Sequence, residues 1–557
     1  MALAVAGLGV AVAMPLHALA QQVAPSRVTP ETLQPAPPPA APISLPSAAG
    51  LTPPPNADQL FVEIGRVEVS GTFPGLEERT NELVRPLAGK RVSVAWIYET
   101  ANALEHDYAQ AGYFLARIVI PPQRLVDGGT VRFTVVDGVI ERIDVKDVPE
   151  RQRALVQARL AGIVGVRRLR LADVERQLLL ISDIPGLQVR STLTAGSTTG
   201  STLFVMQGTQ RYVTGSFAVD NRLPASLGTW SLSASGALNS ALGLGEQIYA
   251  STSSSPDLGP ARLRVFGGGF VLPLGNDGFT INPEYTKSMA RPTPAAGTPA
   301  TQGDFQRFAL RGTYPLIRTR TTNLTVQGSV EWDDEELTPI GFSPQLYDDD
   351  YATARLRTVY TGAPLADWPV QLSGTLSQGL GGRTATSLVP LSRLGASPTF
   401  TSFRIEANAQ HPLPAALLLT VTARAQTSFG KPLMLAEQFA LDGIAAVSSF
   451  ADGTFSVDQG VTLRTEFSRP VGVTLAQQNV VLSPYVFGAG GWGELVMPTA
   501  LEHRDIGAGS AGIGLRADAG IVGVMGGTLA AEFARKFSDV PAVPPGYRAN
   551  ISLSLRF

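Results

Sequence analysis

The chain of 557 residues contains no cysteine. That removes disulfides, thiolate nucleophiles and zinc–thiolate sites, and it suits export to an envelope compartment where unpaired thiols are a liability. Charge is sparse. Asp, Glu, Lys and Arg make up 16% of the residues and the formal net charge is −2, so there is no basic field to hold nucleic acid. Histidine occurs only at His17, His106, His411 and His503, with nothing resembling a serine–histidine–aspartate arrangement, which leaves a barrel lipase or protease with little support. No apolar run beyond the N-terminus approaches the roughly 20 residues that a spanning helix needs. Nucleotide motifs fail on context. Gly507 to Gly512 satisfies G-x-G-x-x-G, yet Ile513, Leu515 and Ala517 continue it with strand alternation instead of a helix, and Lys431 is followed by Pro432. No cofactor, nucleotide or metal is expected.

What is abundant is glycine, at 57 residues, and alternation. In the last stretch Tyr547, Ala549, Ile551, Leu553, Leu555 and Phe557 share one parity, and Arg548, Asn550, Ser552, Ser554 and Arg556 share the other. This is the period-2 signature of a strand, long enough to cross a bilayer at a barrel tilt. Comparable segments recur from Arg211 onward, about sixteen in all, an even number within the bacterial barrel range. Long Pro- or Asp-rich connections at 287–303, 334–348, 379–398 and 429–458 are all odd-numbered, whereas even-numbered ones such as 239–244 and 412–415 are mostly short. Long loops on one rim and short turns on the other are the asymmetry of an outer-membrane barrel, and place whatever precedes the barrel in the periplasm.

The N-terminal part divides differently. Residues 1–20 read as a signal peptide, with an apolar run from Ala2 to Ala13 and a small-x-small pattern at Ala18 and Ala20. Residues 21–60 are a Pro-rich linker, including Pro37 to Pro39 and Pro53 to Pro55, expected to be extended and mobile. Residues 61–138 and 139–208 are two α+β modules in which strand and helix periodicities alternate, and 209–557 is the all-β part.

With that architecture reached, the chain resembles the two-partner secretion transporters of the outer membrane, the FhaC/ShlB/HecB haemolysin secretion and activation family. Gly112 and Tyr113, Pro122 and Gln123, then Gly138 look like the family's GY…PxQ…G pattern in its POTRA modules, and Asp220 with Asn221 and Tyr314 to Leu316 resemble its barrel strings. The resemblance implies two periplasmic POTRA modules, a transmembrane barrel of about 16 antiparallel strands and a location in the bacterial outer membrane. It further implies an unfolded exoprotein client, encoded nearby and exported through the lumen without nucleotide hydrolysis, with outer-membrane lipid as the other partner. A passive porin and an assembly factor for outer-membrane or surface proteins are the alternatives.

Two departures concern the longest loop. The family's VRGY/F string reads Val447, Ser448, Ser449, Phe450 here, so the Arg is Ser448; its F-x-D-x-G string on the barrel wall reads Phe487, Ala489, Gly491, so the Asp is Ala489. The resemblance implies that this loop folds back into the lumen, and loss of both charges together implies that other contacts hold it. The loop carries Phe439 and Phe450 around a Gly- and Ala-rich tip, too apolar to stay in water. Asp333 to Glu336 and Asp348 to Asp350 are expected at the two ends of a hydrated surface loop, calcium binding being disfavoured because the glycine-punctuated spacing of an EF-hand is missing.

Overall fold

The computed structural model describes residues 51–198, 200–257, 261–294, 299–341, 345–365, 368–386, 389–475, 477–500, 502–521 and 525–557. The signal segment and most of the linker lie outside the described residues. The chain divides into two compact units, one ending at Arg211 and the other essentially Tyr212 to Phe557.

In the first unit, strands β1 (Phe61–Ser70), β2 (Lys90–Ser93), β3 (Arg117–Val119) and β4 (Gly129–Val136) form a sheet of order β2-β1-β4-β3, covered by helices α1 (Glu77–Val84) and α2 (Val94–Gln110). Val62 and Ile64 from β1 meet Ile97, Ala101, Leu104 and Tyr108 from α2, whose first turn is capped by Ser93 Oγ accepting from Trp96 N at 3.2 Å. The end of the linker departs from the mobile segment expected of it. Ala57 is buried, Leu51 packs on this core, and its backbone exchanges two hydrogen bonds with the Asn102 side chain.

The second module has β5 (Val139–Asp147), α3 (Glu150–Leu160), α4 (Leu171–Ser182), β6 (Leu187–Ala195) and β7 (Ser201–Gln210), with sheet order β5-β7-β6. Most of the family-like residues lie at its joint with the first module. Gly112 adopts φ +96°, a conformation that favours glycine, and its carbonyl accepts from Leu171 N at 2.8 Å. Leu115 is buried in the second module's core, and a Cβ on Gly138 would fall onto the Leu115 carbonyl. Tyr113 packs edge-on against Phe73 at 5.0 Å, while Arg168 and Arg170 lie over those two rings. Gln123, following the exposed Pro122, serves the first sheet: its side chain makes both hydrogen bonds to the Arg132 backbone, at 2.9 and 3.0 Å.

The second unit is a closed barrel. Its strands are β8 (Val213–Asp220), β9 (Ser231–Asn239), β10 (Gln247–Ser254), β11 (Leu263–Leu274), β12 (Phe279–Ala290), β13 (Thr301–Arg318), β14 (Asn323–Pro339), β15 (Tyr347–Leu365), β16 (Trp368–Gly382), β17 (Thr401–Leu413) and β18 (Leu417–Thr427). A loop hairpin, β19 (Phe439–Ala440) with β20 (Ser456–Val457), comes next. The wall resumes with β21 (Gln459–Ser468), β22 (Val471–Leu475), β23 (Gln478–Glu494), β24 (Asp505–Ile521), β25 (Met525–Ser538) and β26 (Gly546–Arg556). β21 and β22 both pair with β23 and are one strand interrupted beside Pro470, which has no amide to donate, so the described residues make sixteen antiparallel strands. Neighbours pair in sequence order and β26 closes on β8, where Gly215 and Phe557 exchange two backbone hydrogen bonds of 3.0 and 3.1 Å.

Outward positions are apolar, among them Phe308, Trp332, Val486, Trp492, Phe533 and Leu553, all exposed. That band is the lipid-facing surface of a transmembrane barrel. The acidic run does not form the ends of a loop. Strands β14 and β15 extend through it, with Glu335 opposite Asp349 and Asp333 opposite Tyr351, and Asp333, Glu335 and Asp349 are buried on the inner face. Burial is tolerated because each has a partner: Arg307 Nε donates to Asp333 at 2.5 Å, Tyr347 to Glu335 at 2.9 Å, and Ser392 N to Asp349 at 2.8 Å.

The joint predicts the consequence of filling it. Gly138→Ala forces a methyl into the Leu115 carbonyl and costs about 1–3 kcal/mol. Urea unfolding of residues 51–211, which contain two cores of their own, is expected to show that loss; an unchanged midpoint contradicts the joint as described.

Candidate functional site: the lumen loop and its seat

The connection from Ser428 to Asp458 turns into the barrel. Phe439, Leu441, Val447, Phe450, Phe455 and Val457 are buried together against Leu495, Ile506, Ala508 and Val540 of the wall and its rim. Within the loop, Asp442 accepts from Gly453 N at 2.9 Å and Phe455 N at 2.7 Å, which closes the tip on itself. At its base Asp458 accepts from Leu433 N at 2.9 Å and Val496 N at 2.7 Å and faces Arg393 at 3.5 Å.

Three seats fix the loop to the wall. Near the start, Glu437 takes a bidentate pair from Arg355, at 2.9 and 2.6 Å. Burial alone would raise the Glu437 carboxyl, but the Arg355 guanidinium holds it below the usual carboxylate range. Next, Arg404 and Arg424 lie over the Phe439 ring at 5.9 and 5.2 Å. At the tip, Ser448 Oγ accepts from Arg464 Nη1 at 2.8 Å and donates to Glu532 Oε1, while Arg464 Nη2 donates to Glu532 Oε2 at 2.7 Å. Asn550 Nδ2 donates to the Ser448 carbonyl at 2.7 Å and Tyr485 OH to Glu532 at 3.1 Å.

The family-like residues are placed as follows. Val447, Ser448, Ser449 and Phe450 are all buried in the loop tip, and Lys536 lies over the Phe450 ring. Phe487, Ala489 and Gly491 alternate along the inner face of β23. Arg464 covers the Phe487 ring at 3.8 Å, Ala489 stands opposite Arg464 in the register, and Leu441 of the loop lies 3.5 Å from where a Gly491 Cβ would be. Ser448 therefore reaches the Arg464–Glu532 pair, one strand to either side of β23–β24. No charge pair joins positions 448 and 489; the loop is held by other contacts, in which both charges belong to the wall and the loop contributes a hydroxyl.

Arg464 and Glu532 were not singled out from the sequence. Each sits at an inward parity among other polar residues, and only the register of four strands brings them together. Gly514 carried a further clue. It lies between Tyr485 and Glu532 in the pairing of β23, β24 and β25, and a Cβ there would collide with the Tyr485 ring, so a glycine in the G-x-G-x-x-G neighbourhood serves packing.

The tip also contains two aspartates in unfavourable surroundings. Burial pushes Asp442 up to about 6 despite the amides of Phe455 and Gly453, and pushes Asp452 up to about 7 despite Arg222.

Two outcomes follow from this geometry. Ser448→Ala removes one bridging hydroxyl and is expected to cost about 1–3 kcal/mol, whereas Glu532→Ala takes from the buried Arg464 its closer carboxylate, leaving Glu466 at 3.4 Å, and is expected to cost about 3 kcal/mol or more. A double-mutant cycle on thermal unfolding checks that the two losses are not additive; simple additivity contradicts the shared node. The raised Asp442 and Asp452 mean that the docked loop binds protons more tightly than the free one. Their contribution to docking is complete below the ordinary aspartate range near 4 and is lost as pH rises through about 6 to 7. A single cysteine at Ala446, buried in the docked loop, should react with an external thiol reagent faster at pH 8 than at pH 5, after correction for the reagent's own pH dependence; equal rates contradict the assignment.

The family model described as haemolysin secretion/activation protein ShlB/FhaC/HecB matches residues 199–517, more than half of the chain, and a POTRA domain model of the ShlB type matches residues 62–138. The outer membrane transporter CdiB of Escherichia coli is 26% identical over 216 residues, 38% of this chain and 36% of CdiB, so the sequence match spans about a third of that relative's length. The heme/hemopexin transporter protein HuxB of Haemophilus influenzae (strain 86-028NP) is 23% identical over 433 residues, 74% of this chain and 73% of HuxB. In fold, the structure of CdiB from Escherichia coli superposes with a TM-score of 0.68 at 21% identity, covering 97% of this chain and 95% of that one. CdiB from Acinetobacter baumannii gives 0.61 at 15% identity over the same shares. The chain belongs to the ShlB/FhaC/HecB haemolysin secretion/activation family, as an outer-membrane β-barrel with POTRA modules on the periplasmic side.

Proposed function

We propose that this protein exports an unfolded exoprotein of the haemolysin or adhesin type through the barrel lumen, after recognising it with the two periplasmic modules. The observation that carries the reading is the occupied lumen. A barrel of this size would otherwise leave an aqueous channel, and here one loop fills it through a seat of ion pairs and hydrogen bonds. Such a seat can be vacated and retaken without unfolding the wall, which suits a gated translocase and disfavours a passive porin.

The modules supply the entry surface. Their sheets end in the edge strands β2 and β3 in the first and β5 and β6 in the second, and an extended client adds itself to such an edge through main-chain hydrogen bonds with little demand on its sequence. In β6, Gln188, Arg190 and Thr192 face outward while Leu187 and Val189 face the core, so the edge is soluble when empty. The client passes through the lumen once the loop has left it, and its folding outside gives direction. No bond is made or broken, and no cofactor is required. The client's gene is expected beside that of the transporter.

Deleting residues 61–207 while keeping the signal segment is expected to leave a heat-modifiable barrel in the outer membrane with export of the neighbouring exoprotein lost. Undiminished export by the truncated protein contradicts recognition by the modules.

A further inference from the structure

The outward face of the barrel is largely apolar, with charge gathered near the long-loop rim: Arg535 on β25 lies over the Phe537 ring, and β11 and β12 turn a group of three cations toward the membrane. On β11 the outward residue next above Phe266 is Arg264; on β12 the outward series runs Tyr285, Lys287, Met289 and then Arg291, just past the strand end. In the register Phe266 stands opposite Lys287 and Arg264 opposite Met289, so Arg264 and Lys287 are diagonal neighbours on one surface. Beneath them lies a row of exposed aromatics, Phe266, Tyr285, Phe308 and Trp332, the last two 5.7 Å apart. Aromatic side chains of this kind mark the boundary between hydrocarbon and headgroups, which puts the three cations at headgroup height in the outer leaflet.

Among the described residues neither Arg264 nor Lys287 has an ion-pair partner. Arg291 Nε donates to Gln302 Oε1 at 2.7 Å, which directs its guanidinium along the same surface. On the side away from β12, Arg264 stands opposite Ser254, and Phe266 opposite Thr252, so two hydroxyls border the cations. Asp304, outward on β13 opposite Met289 and diagonal to Lys287, accepts from Gln302 Nε2 and forms no ion pair with any of the three cations among the described residues, so the cations stay open to an anion from outside the protein, and the leaflet that faces this rim carries phosphate in its lipopolysaccharide.

We propose that Arg264, Lys287 and Arg291 form a docking surface for the phosphate groups of one outer-leaflet lipid, the lipid A moiety of lipopolysaccharide, with its acyl chains lying along Phe266 and Tyr285. Arginine and lysine give charge-assisted hydrogen bonds to phosphate, and the aromatic row below gives the chains an apolar bed. The neighbouring strands carry the opposite sign at the same height, beginning with Asp304 on β13 and continuing with Asp334 and Asp350, paired in register and both exposed, so the surface has one cationic flank and one acidic flank. The lipid is assigned to the cationic flank. This inference depends on the barrel's place in the outer membrane and is independent of what the protein exports.

The test uses the full-length protein in detergent, titrated with bisphosphorylated lipid A, with dephosphorylated lipid A and with inorganic phosphate, and read by thermal unfolding and by lipid retention in native mass spectrometry. Bisphosphorylated lipid A is expected to stay bound and raise the unfolding temperature. The Arg264→Gln, Lys287→Gln, Arg291→Gln triple variant should bind it more weakly by on the order of tenfold or more. The charge-keeping variant Arg264→Lys, Lys287→Arg, Arg291→Lys should retain binding, as should Asp334→Asn with Asp350→Asn. Equal retention of dephosphorylated lipid A, equal stabilisation by inorganic phosphate alone, undiminished binding by the neutral triple variant, or loss that follows the two aspartates each overturns the proposal. Heat modifiability of each variant confirms that the barrel is folded before titration.

Discussion

A guanidinium and a carboxylate buried side by side, Arg464 and Glu532, are the contact on which the lumen loop depends. A buried pair is favourable only when its remaining donors and acceptors are satisfied, because desolvating both ions costs as much as their attraction returns. Here the wall alone leaves the pair incomplete. Tyr485 adds one donor, Glu466 lies 3.4 Å from the guanidinium, the Phe487 ring lies against it, and Ser448 from the loop completes the set by bonding to both ions. An empty lumen would expose that pair to water, so seated and vacated states each solvate the charges and differ by a modest free energy. This balance is what a loop needs if it must be held at rest and released in use.

The second constraint is the barrel lattice. Because successive side chains on a strand face opposite sides, inward charges away from the rims are bordered by outward apolar residues, and the polar network and the lipid belt are laid down by the same alternation. The inner face of β12 to β16 shows the result. Glu284, Arg307, Arg311, Glu331, Asp333 and Arg355 are all inward, and Arg355 spans Glu331 at 3.0 Å and the loop's Glu437. That wall anchors one end of the loop while β21 and β25 anchor its tip, so the loop is attached to opposite arcs of one closed sheet.

Much of this was legible in the residues and some was not. Alternation gave away all sixteen strands, and loop length assigned the two rims, because period and connection length are local properties. The lumen position of the loop followed from the family-like string around Val447 to Phe450. Its holding contact did not, since Arg464 and Glu532 lie 68 residues apart and only the strand register brings them together. The acidic run was misplaced for a related reason. Seven carboxylates near a turn read as solvated until the register shows Arg307, Tyr347 and Ser392 waiting for the inward ones. At the joint of the modules, Gly112 and Gly138 were visible as motif residues, while the positive φ and the Leu171 hydrogen bond of the first and the close approach of the Leu115 carbonyl to the second required the fold.

The central claim is that the Arg464–Glu532 pair keeps the loop in the lumen. Single-channel recording in planar bilayers tests it most directly, comparing the wild-type protein with the Glu532→Gln variant, which keeps the side chain's shape and removes its charge. The account predicts a wild-type barrel that is mostly closed and a variant with frequent, long openings to a level matching deletion of residues 436–456. Closed-state occupancy indistinguishable between wild type and variant would contradict it.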